Sequence, residues 1–240
     1  MYAQKQLGRD LMKYSIGIVS FDRSPTDNYI IPTLDSLSQD FDSPLLHDVT
    51  IYDSGSPAGH LASLEEYTQD QLKVHLSIPE NRLYIQENGA RCLLESAEQG
   101  AELVIFIEDD IEVCSNFLQK VDDWLNKNYR DDVYAYTMGA AYPDNLRAAA
   151  QMGQDYWEYP IEAFYGIQCF IMKSKYAKLF GEYLAKAPGG QYNDMHLKDW
   201  LASLDQRILL TPAPYSFIQH IGFVSNYHKG RYHDFPFIGR

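Results

Sequence analysis

The run Glu102-Leu103-Val104-Ile105-Phe106-Ile107-Glu108-Asp109-Asp110-Ile111-Glu112-Val113 constrains this chain more than any other. Leu103 to Ile107 is apolar without a break and mostly β-branched or aromatic, which predicts a strand buried on both faces of a sheet. It stops abruptly at three consecutive carboxylates. Like charges this close repel, and burial sharpens the repulsion. A hard divalent cation such as manganese or magnesium relieves it, because such ions take carboxylate oxygens and complete their shell with water and substrate phosphates. Ligands of open α/β sheets bind just beyond the carboxyl ends of strands. Composition and position together point to a metal–diphosphate site. The competing reading is a solvated strand end whose charges serve solubility.

The rest of the chain alternates in a way that supports such a sheet. Tyr14 to Phe21 reads as a first strand, followed by the polar turn Asp22–Asp27. A helix through Leu34 and Leu37 comes next, with Asp27 or Asn28 as its cap. Asp48 to Tyr52 reads as a second strand that runs into Asp53-Ser54-Gly55-Ser56-Pro57. Leu61 to Leu72 has helical character, and Arg82 to Ile85 reads as a short strand. Asn88-Gly89 is placed to cap a helix with Ala90, Leu93, Leu94 and Ala97 on its apolar face, ended by Gly100. Strands separated by helix-length segments predict an α/β fold, a Rossmann-like, mostly parallel central sheet flanked by helices, with a smaller second subregion. Beyond Val113, Ser115 is placed to cap a helix carrying Phe117, Val121, Trp124 and Leu125. Val133–Met138 and Ile167–Met172 read as strands, Lys175–Ala185 and Met195–Leu204 as helices, and Ile208–Leu210 as a short strand. Residues 141 to 165 show no clear period. With no linker or repeat, the expectation is one domain over 1–240, split at about residue 113 into two halves.

Composition narrows the partners. The chain has 240 residues and a net charge of −13, which argues against nucleic-acid binding, since that needs a basic surface. No run of 18 apolar residues is present, so no transmembrane helix is expected. The three cysteines, Cys92, Cys114 and Cys169, are odd in number and sit in or beside apolar segments; they read as free buried thiols. The expected compartment is reducing and cytoplasmic, with a membrane-peripheral location or a soluble domain separated from its anchor as alternatives.

The order of these elements resembles metal-dependent glycosyltransferases of the GT-A fold. Four places carry the resemblance: Ser20-Phe21-Asp22-Arg23, Asp53-Ser54-Gly55-Ser56, Asn88-Gly89-Ala90-Arg91, and Glu108-Asp109-Asp110. The acidic triplet stands where that family has its DxD motif, with Glu in the first position. The later segment Phe217-Ile218-Gln219-His220-Ile221-Gly222-Phe223-Val224-Ser225 is similar to the Gln-His-x-Gly-x-x-Ser segment of the N-acetylglucosaminyltransferase IV family.

The resemblance implies roles. Asp110 and His220 would ligate Mn2+ or Mg2+, imidazole being as suitable for manganese as carboxylate. Ser20, Arg23, Asp53, Arg91, Glu108 and Asp109 would contact the nucleotide sugar. Asp53 would accept from a uracil ring, or else it only shapes the Asp-Ser-Gly turn. Arg91 would support the diphosphate, or else it covers a helix face. Inverting transfer to an acceptor hydroxyl needs a general base, and Asp194 opens a helix where the family places it; an N-cap role is the alternative, with Asp199 and His196 as other candidate bases. Lys229 and Arg231 would close over the diphosphate. Tyr156, Trp157, Tyr159, Phe164 and Tyr165 would form either a sugar-stacking wall or plain core. The implied partners are a nucleotide-sugar donor, UDP-linked, and a glycan or other hydroxyl-bearing acceptor. Two other readings stay open. One is a sugar-phosphate nucleotidyltransferase, against which the loop Phe21–Thr26 has one basic residue and no glycine. The other is a non-catalytic nucleotide-sugar or glycan-binding module.

Overall fold

A computed structural model of the chain describes residues 12–21, 28–69, 71–139, 143–163, 168–189, 193–206 and 208–222. Its strands are β1 (Tyr14–Ser20), β2 (Leu46–Asp53), β3 (Val74–Ser77), β4 (Leu103–Glu108), β5 (Ile111–Val113), β6 (Tyr136–Thr137), β7 (Tyr156–Pro160), β8 (Cys169–Lys173), β9 (Ile208–Pro212) and β10 (Ile218–His220). Its α-helices are α1 (Ile30–Leu37), α2 (Ala58–Gln69), α3 (Ile85–Glu98), α4 (Phe117–Asn128), α5 (Pro143–Gln151), α6 (Ser174–Leu184) and α7 (Asn193–Ser203). Eight strands form one sheet in the order β3-β2-β1-β4-β8-β6-β9-β7, and β5 and β10 form a separate two-stranded ribbon. Four of the seven neighbouring pairs in the large sheet are parallel, including all three among β3, β2, β1 and β4. The expected α/β architecture with a mostly parallel sheet is therefore the observed one.

β4 lies centrally and explains the division of the core. Its side chains alternate between the two sheet faces, as a period of two demands. Leu103, Ile105 and Ile107 join one cluster with Ile16 and Ile18 of β1, α1 and α4. Val104 and Phe106 join the other with Cys92 and Leu93 of α3, Phe180 of α6, and Leu197 and Trp200 of α7. Phe106 stacks on its cross-strand neighbour Phe170, ring centroids 4.8 Å apart. α3 comes close to the sheet at Gly17, where a Cβ would collide with Cys92 Sγ and lie 2.8 Å from Ser96 Oγ. A larger residue there would push α3, and whatever it carries at its N-terminus, off the strand ends.

Several boundaries differ from the sequence expectation. The third strand is Val74–Ser77, not Arg82–Ile85. It is an edge strand with only its first residue buried, so it lacks an apolar alternation to read. Arg82–Tyr84 instead leads into α3, and the Glu87 carboxylate accepts the Tyr84 N–H at 2.8 Å, as an N3 glutamate does. The helix thus begins one turn before Asn88-Gly89, and Asn88 donates its side-chain amide to the Tyr52 carbonyl at 2.7 Å rather than capping. Ser115 does not cap α4: Asn116, at φ 52°, holds that position, and the carboxylate of distant Asp40 accepts from Phe117 and Leu118 N–H at 3.1 and 3.3 Å. α1 starts after Tyr29 without a side-chain cap, so Asn28 is not its cap; Asp27 lies outside the described residues. The strand expected over Val133–Met138 shrinks to β6, and the stretch without period contains α5 and β7.

All three cysteines are buried and free. Burial pushes their thiols upward, Cys114 to about 11 and Cys92 and Cys169 further. The native protein should therefore yield no fast-reacting thiol with a disulfide reagent at pH 8, and three once unfolded in denaturant. Fewer than three in denaturant would reveal a disulfide.

Candidate active site

The carboxyl ends of β1, β2 and β4 lie side by side, with Ser20 opposite Asp53 and Val19 opposite Glu108 in register. This brings Ser20, Asp53, Glu108, Asp109 and Asp110 together at one edge of the sheet. Asp109 and Asp110 form the turn between β4 and β5, and they are only 5% and 2% exposed. Buried carboxylates require polar partners. Asp109 Oδ2 accepts the Phe21 N–H at 2.8 Å, tying the turn to the end of β1. Asp110 Oδ2 lies 3.1 Å from His220 Nε2. β10 delivers this histidine: it pairs antiparallel with β5, His220 opposite Ile111, and Ile221 N–H donates to the Asp110 carbonyl at 2.8 Å.

Thr33 of α1 holds the backbone of the turn. Its hydroxyl lies 2.8 Å from the Asp109 carbonyl and 2.7 Å from the Ile111 carbonyl. One turn on, Ser36 Oγ accepts the Val113 N–H at 3.1 Å. Neither residue was singled out by the sequence. The available signal was a buried threonine on the apolar face made by Ile30, Leu34 and Leu37.

The fit of a divalent cation rests on Asp110 and His220. A carboxylate and an imidazole suit manganese, which fills its remaining positions with water and phosphate oxygens. Gly222 keeps this place open, since a Cβ there would stand 2.6 Å from Asp110 Oδ2 and 3.1 Å from His220 Cε1. Among the described residues no group of three His, Cys, Asp or Glu side chains converges, so the protein offers two ligands rather than a complete cage.

The polar groups at the carboxyl end of β2 are more self-contained. The Asp53 carboxylate accepts from Gly55 N–H at 2.8 Å and from Ser56 N–H and Oγ–H, both at 2.7 Å, which is the turn-shaping alternative in operation. Arg91 donates to the Asp53 carbonyl at 3.2 Å and to Glu95 at 3.2 Å, and it also bonds Ser77 Oγ. Its guanidinium is thus engaged with the strand ends and lies over the Tyr52 ring. His60 of α2 was not anticipated. Its Nε2 sits 3.4 Å from Ser20 Oγ and 3.9 Å from Asp53 Oδ2. Both partners face the same ring nitrogen, so the three cannot act as a nucleophile–base–carboxylate relay, which uses the two nitrogens separately. Arg23, Lys229 and Arg231 lie outside the described residues, as do Phe164 and Tyr165. Tyr159 is core, while Tyr156 and Trp157 are half-buried on the edge strand β7.

Asp194 opens α7, where its Oδ1 accepts the Met195 N–H at 2.8 Å. α7 packs on α3 through Asn193, whose side chain stands 2.8 Å from where a Gly89 Cβ would be. Asp194 therefore sits on the helix that covers the N-terminal end of α3.

No protein-family model matches the sequence, and no curated protein matches it by sequence. Solved structures do match. PcManGT, a mannosyltransferase from Pyrobaculum calidifontis in complex with GDP-Man and Mn2+, superposes with a TM-score of 0.57 at 15% identity, over 84% of this chain and 55% of its own. GalNAc-T7 with UDP, GalNAc and Mn2+ gives 0.62 at 16% identity, over 89% of this chain and 44% of its own. Residues 1–349 of S. aureus TarS give 0.58 at 15% identity, over 86% and 60%. The fold is GT-A. The chain spans about half the length of these proteins, and at such identities the likeness is one of fold.

If Thr33 clamps the acidic turn, Thr33→Val, which keeps the shape and removes the hydroxyl, should lower stability by about 1–3 kcal/mol in denaturant unfolding, with Thr33→Ser retaining most of it. Equal losses for both variants would show that the hydroxyl contributes nothing.

Proposed function

We propose that the chain is a metal-dependent glycosyltransferase that moves a sugar from a nucleotide-sugar donor, UDP-linked, to a hydroxyl acceptor with inversion, as one domain. The observation that carries this reading is the Asp110–His220 pair at the end of a buried GT-A strand. It is supported by fold neighbours solved with GDP-Man and Mn2+, with UDP, GalNAc and Mn2+, and with UDP. The narrower similarity to the N-acetylglucosaminyltransferase IV family rests on Gln219-His220-Ile221-Gly222, whose histidine and glycine are the two residues that shape this spot.

In this reading Asp110 and His220 hold the manganese or magnesium. When bound, the ion neutralises the departing diphosphate as a Lewis acid. The protein's own residues do the rest. Glu108 and Asp109 border the ribose and diphosphate, and the Asp109–Phe21 bond ties the acidic turn to the end of β1. Ser20, His60 and Asp53 form the wall at the nucleoside end, with Arg23 as a further donor contact. Arg91 positions the Asp53 loop through its carbonyl. Asp194, half-buried at the start of α7, takes the proton of the acceptor hydroxyl as the bond to the anomeric carbon forms.

The base assignment is tested by two substitutions. Asp194→Asn keeps a side chain able to cap α7 and removes basicity, so turnover of a UDP-sugar should fall by about 100- to 10,000-fold with UDP affinity and melting temperature nearly unchanged. A pure capping role predicts instead that Asp194→Ala lowers stability by about 1 kcal/mol while turnover per folded molecule stays normal for both variants.

A further inference from the structure

Buried polar atoms in folded proteins find partners almost without exception, so a cluster of them that does not is informative. One such cluster lies where the N-terminal ends of α3 and α7 meet. Asn193 is 4% exposed, and neither its Oδ1 nor its Nδ2 has a hydrogen-bond partner among the described residues. Asn88, 3% exposed, uses its amide N–H on Tyr52 but leaves Oδ1 without one. His196, 1% exposed and one turn along α7 from Asn193, leaves Nε2 without one. Gly89 makes the meeting possible, since any side chain there would strike the Asn193 amide.

Resting on the glycosyltransferase reading, we propose that Asn193, with Asn88 and His196, binds hydroxyl groups of the transferred sugar and determines which sugar is accepted. Three observations select this ligand. The cluster combines acceptors (the two Oδ1 atoms), a donor (Asn193 Nδ2) and an imidazole nitrogen that serves as either. A sugar hydroxyl, which both donates and accepts, satisfies such a mixed set. No lysine or arginine belongs to it, and burial holds His196 below its ordinary pKa, so nothing in it compensates a phosphate or carboxylate. Position agrees: Asn88 is bonded to Tyr52, next to Asp53 on the nucleotide side, and Asn193 adjoins Asp194. In an inverting transfer the sugar must lie between its diphosphate and the base-held acceptor. The three side chains are closed off in the arrangement seen here, so the sugar enters with a shift of α7 against α3, at a contact that Gly89 keeps free of side chains.

The test is calorimetric and needs no acceptor. Binding of UDP, UDP-glucose, UDP-galactose and UDP-N-acetylglucosamine, and of GDP and GDP-mannose, is measured with Mn2+ for wild type, Asn193→Ala and Asn193→Asp. Asn193→Asp is nearly isosteric, so it reports even if Asn193→Ala folds poorly. The expected result is an unchanged Kd for the free nucleotide and a Kd for the preferred nucleotide sugar weakened roughly ten-fold in both variants, the equivalent of one or two neutral hydrogen bonds. The preference among sugars should narrow in parallel. Unchanged Kd for every nucleotide sugar, or equal weakening for nucleotide and nucleotide sugar, would overturn the assignment while leaving the transferase reading intact. Wild-type protein that binds no nucleotide at all would overturn that reading, and this inference with it.

Discussion

Two adjacent carboxylates nearly withdrawn from water are the constraint around which this molecule is arranged. Asp109 and Asp110 follow a strand buried on both faces, and an ionised carboxylate in that setting is costly unless charge and hydrogen bonds compensate it. Two contacts reach the carboxylates themselves and a third holds their backbone. The end of β1 offers the Phe21 N–H to Asp109, α1 offers the Thr33 hydroxyl to the backbone on either side of Asp110, and β10 offers His220 to Asp110 itself. Remove any of these and the turn has reason to swing toward solvent, taking the site with it.

The ribbon of β5 and β10 is the longest-range of these ties. Three residue pairs, Ile218–Val113, Gln219–Glu112 and His220–Ile111, bridge segments more than a hundred residues apart. The ribbon is anchored beyond its ends as well: Cys114 N–H donates to the Phe217 carbonyl at 2.9 Å, and Phe217 N–H to the Met138 carbonyl at 3.0 Å. Closing so long a loop carries an entropic cost that grows only slowly with length, and a few well-buried pairs such as Ile218 and Val113 offset it. The arrangement makes the second half of the chain a participant in the acidic turn at the end of β4.

What could be read from the sequence followed apolar pattern and position. β4 is legible because Leu103 to Ile107 must be buried on both faces, and the acidic turn because three carboxylates end that strand abruptly, a pattern that a solvated strand end would share. The pairing of His220 with this turn entered through resemblance, since β10 is three residues long and carries no periodicity. Thr33, Asp40 and His60 were illegible for a common reason. Each is a polar residue whose partner is distant in the chain: Asp109 and Ile111, the N-terminus of α4, and Ser20. Val74–Ser77 was missed because an edge strand need not be apolar, and the helix start at Ile85 because Asn88-Gly89 looks like a cap while serving contact with β2 and α7. Of the two readings of Asp53, the structure shows the turn-shaping one, its carboxylate accepting from Gly55 and Ser56.

In the proposed glycosyltransferase, Asp110 and His220 together would hold a divalent cation against a nucleotide diphosphate. Anomalous diffraction from crystals grown with MnCl2 and UDP tests this most directly. The expected result is one strong manganese peak within coordination distance of both the Asp110 carboxylate and the His220 imidazole, beside the bound UDP. UDP bound in the cleft with no manganese between these two side chains would contradict it.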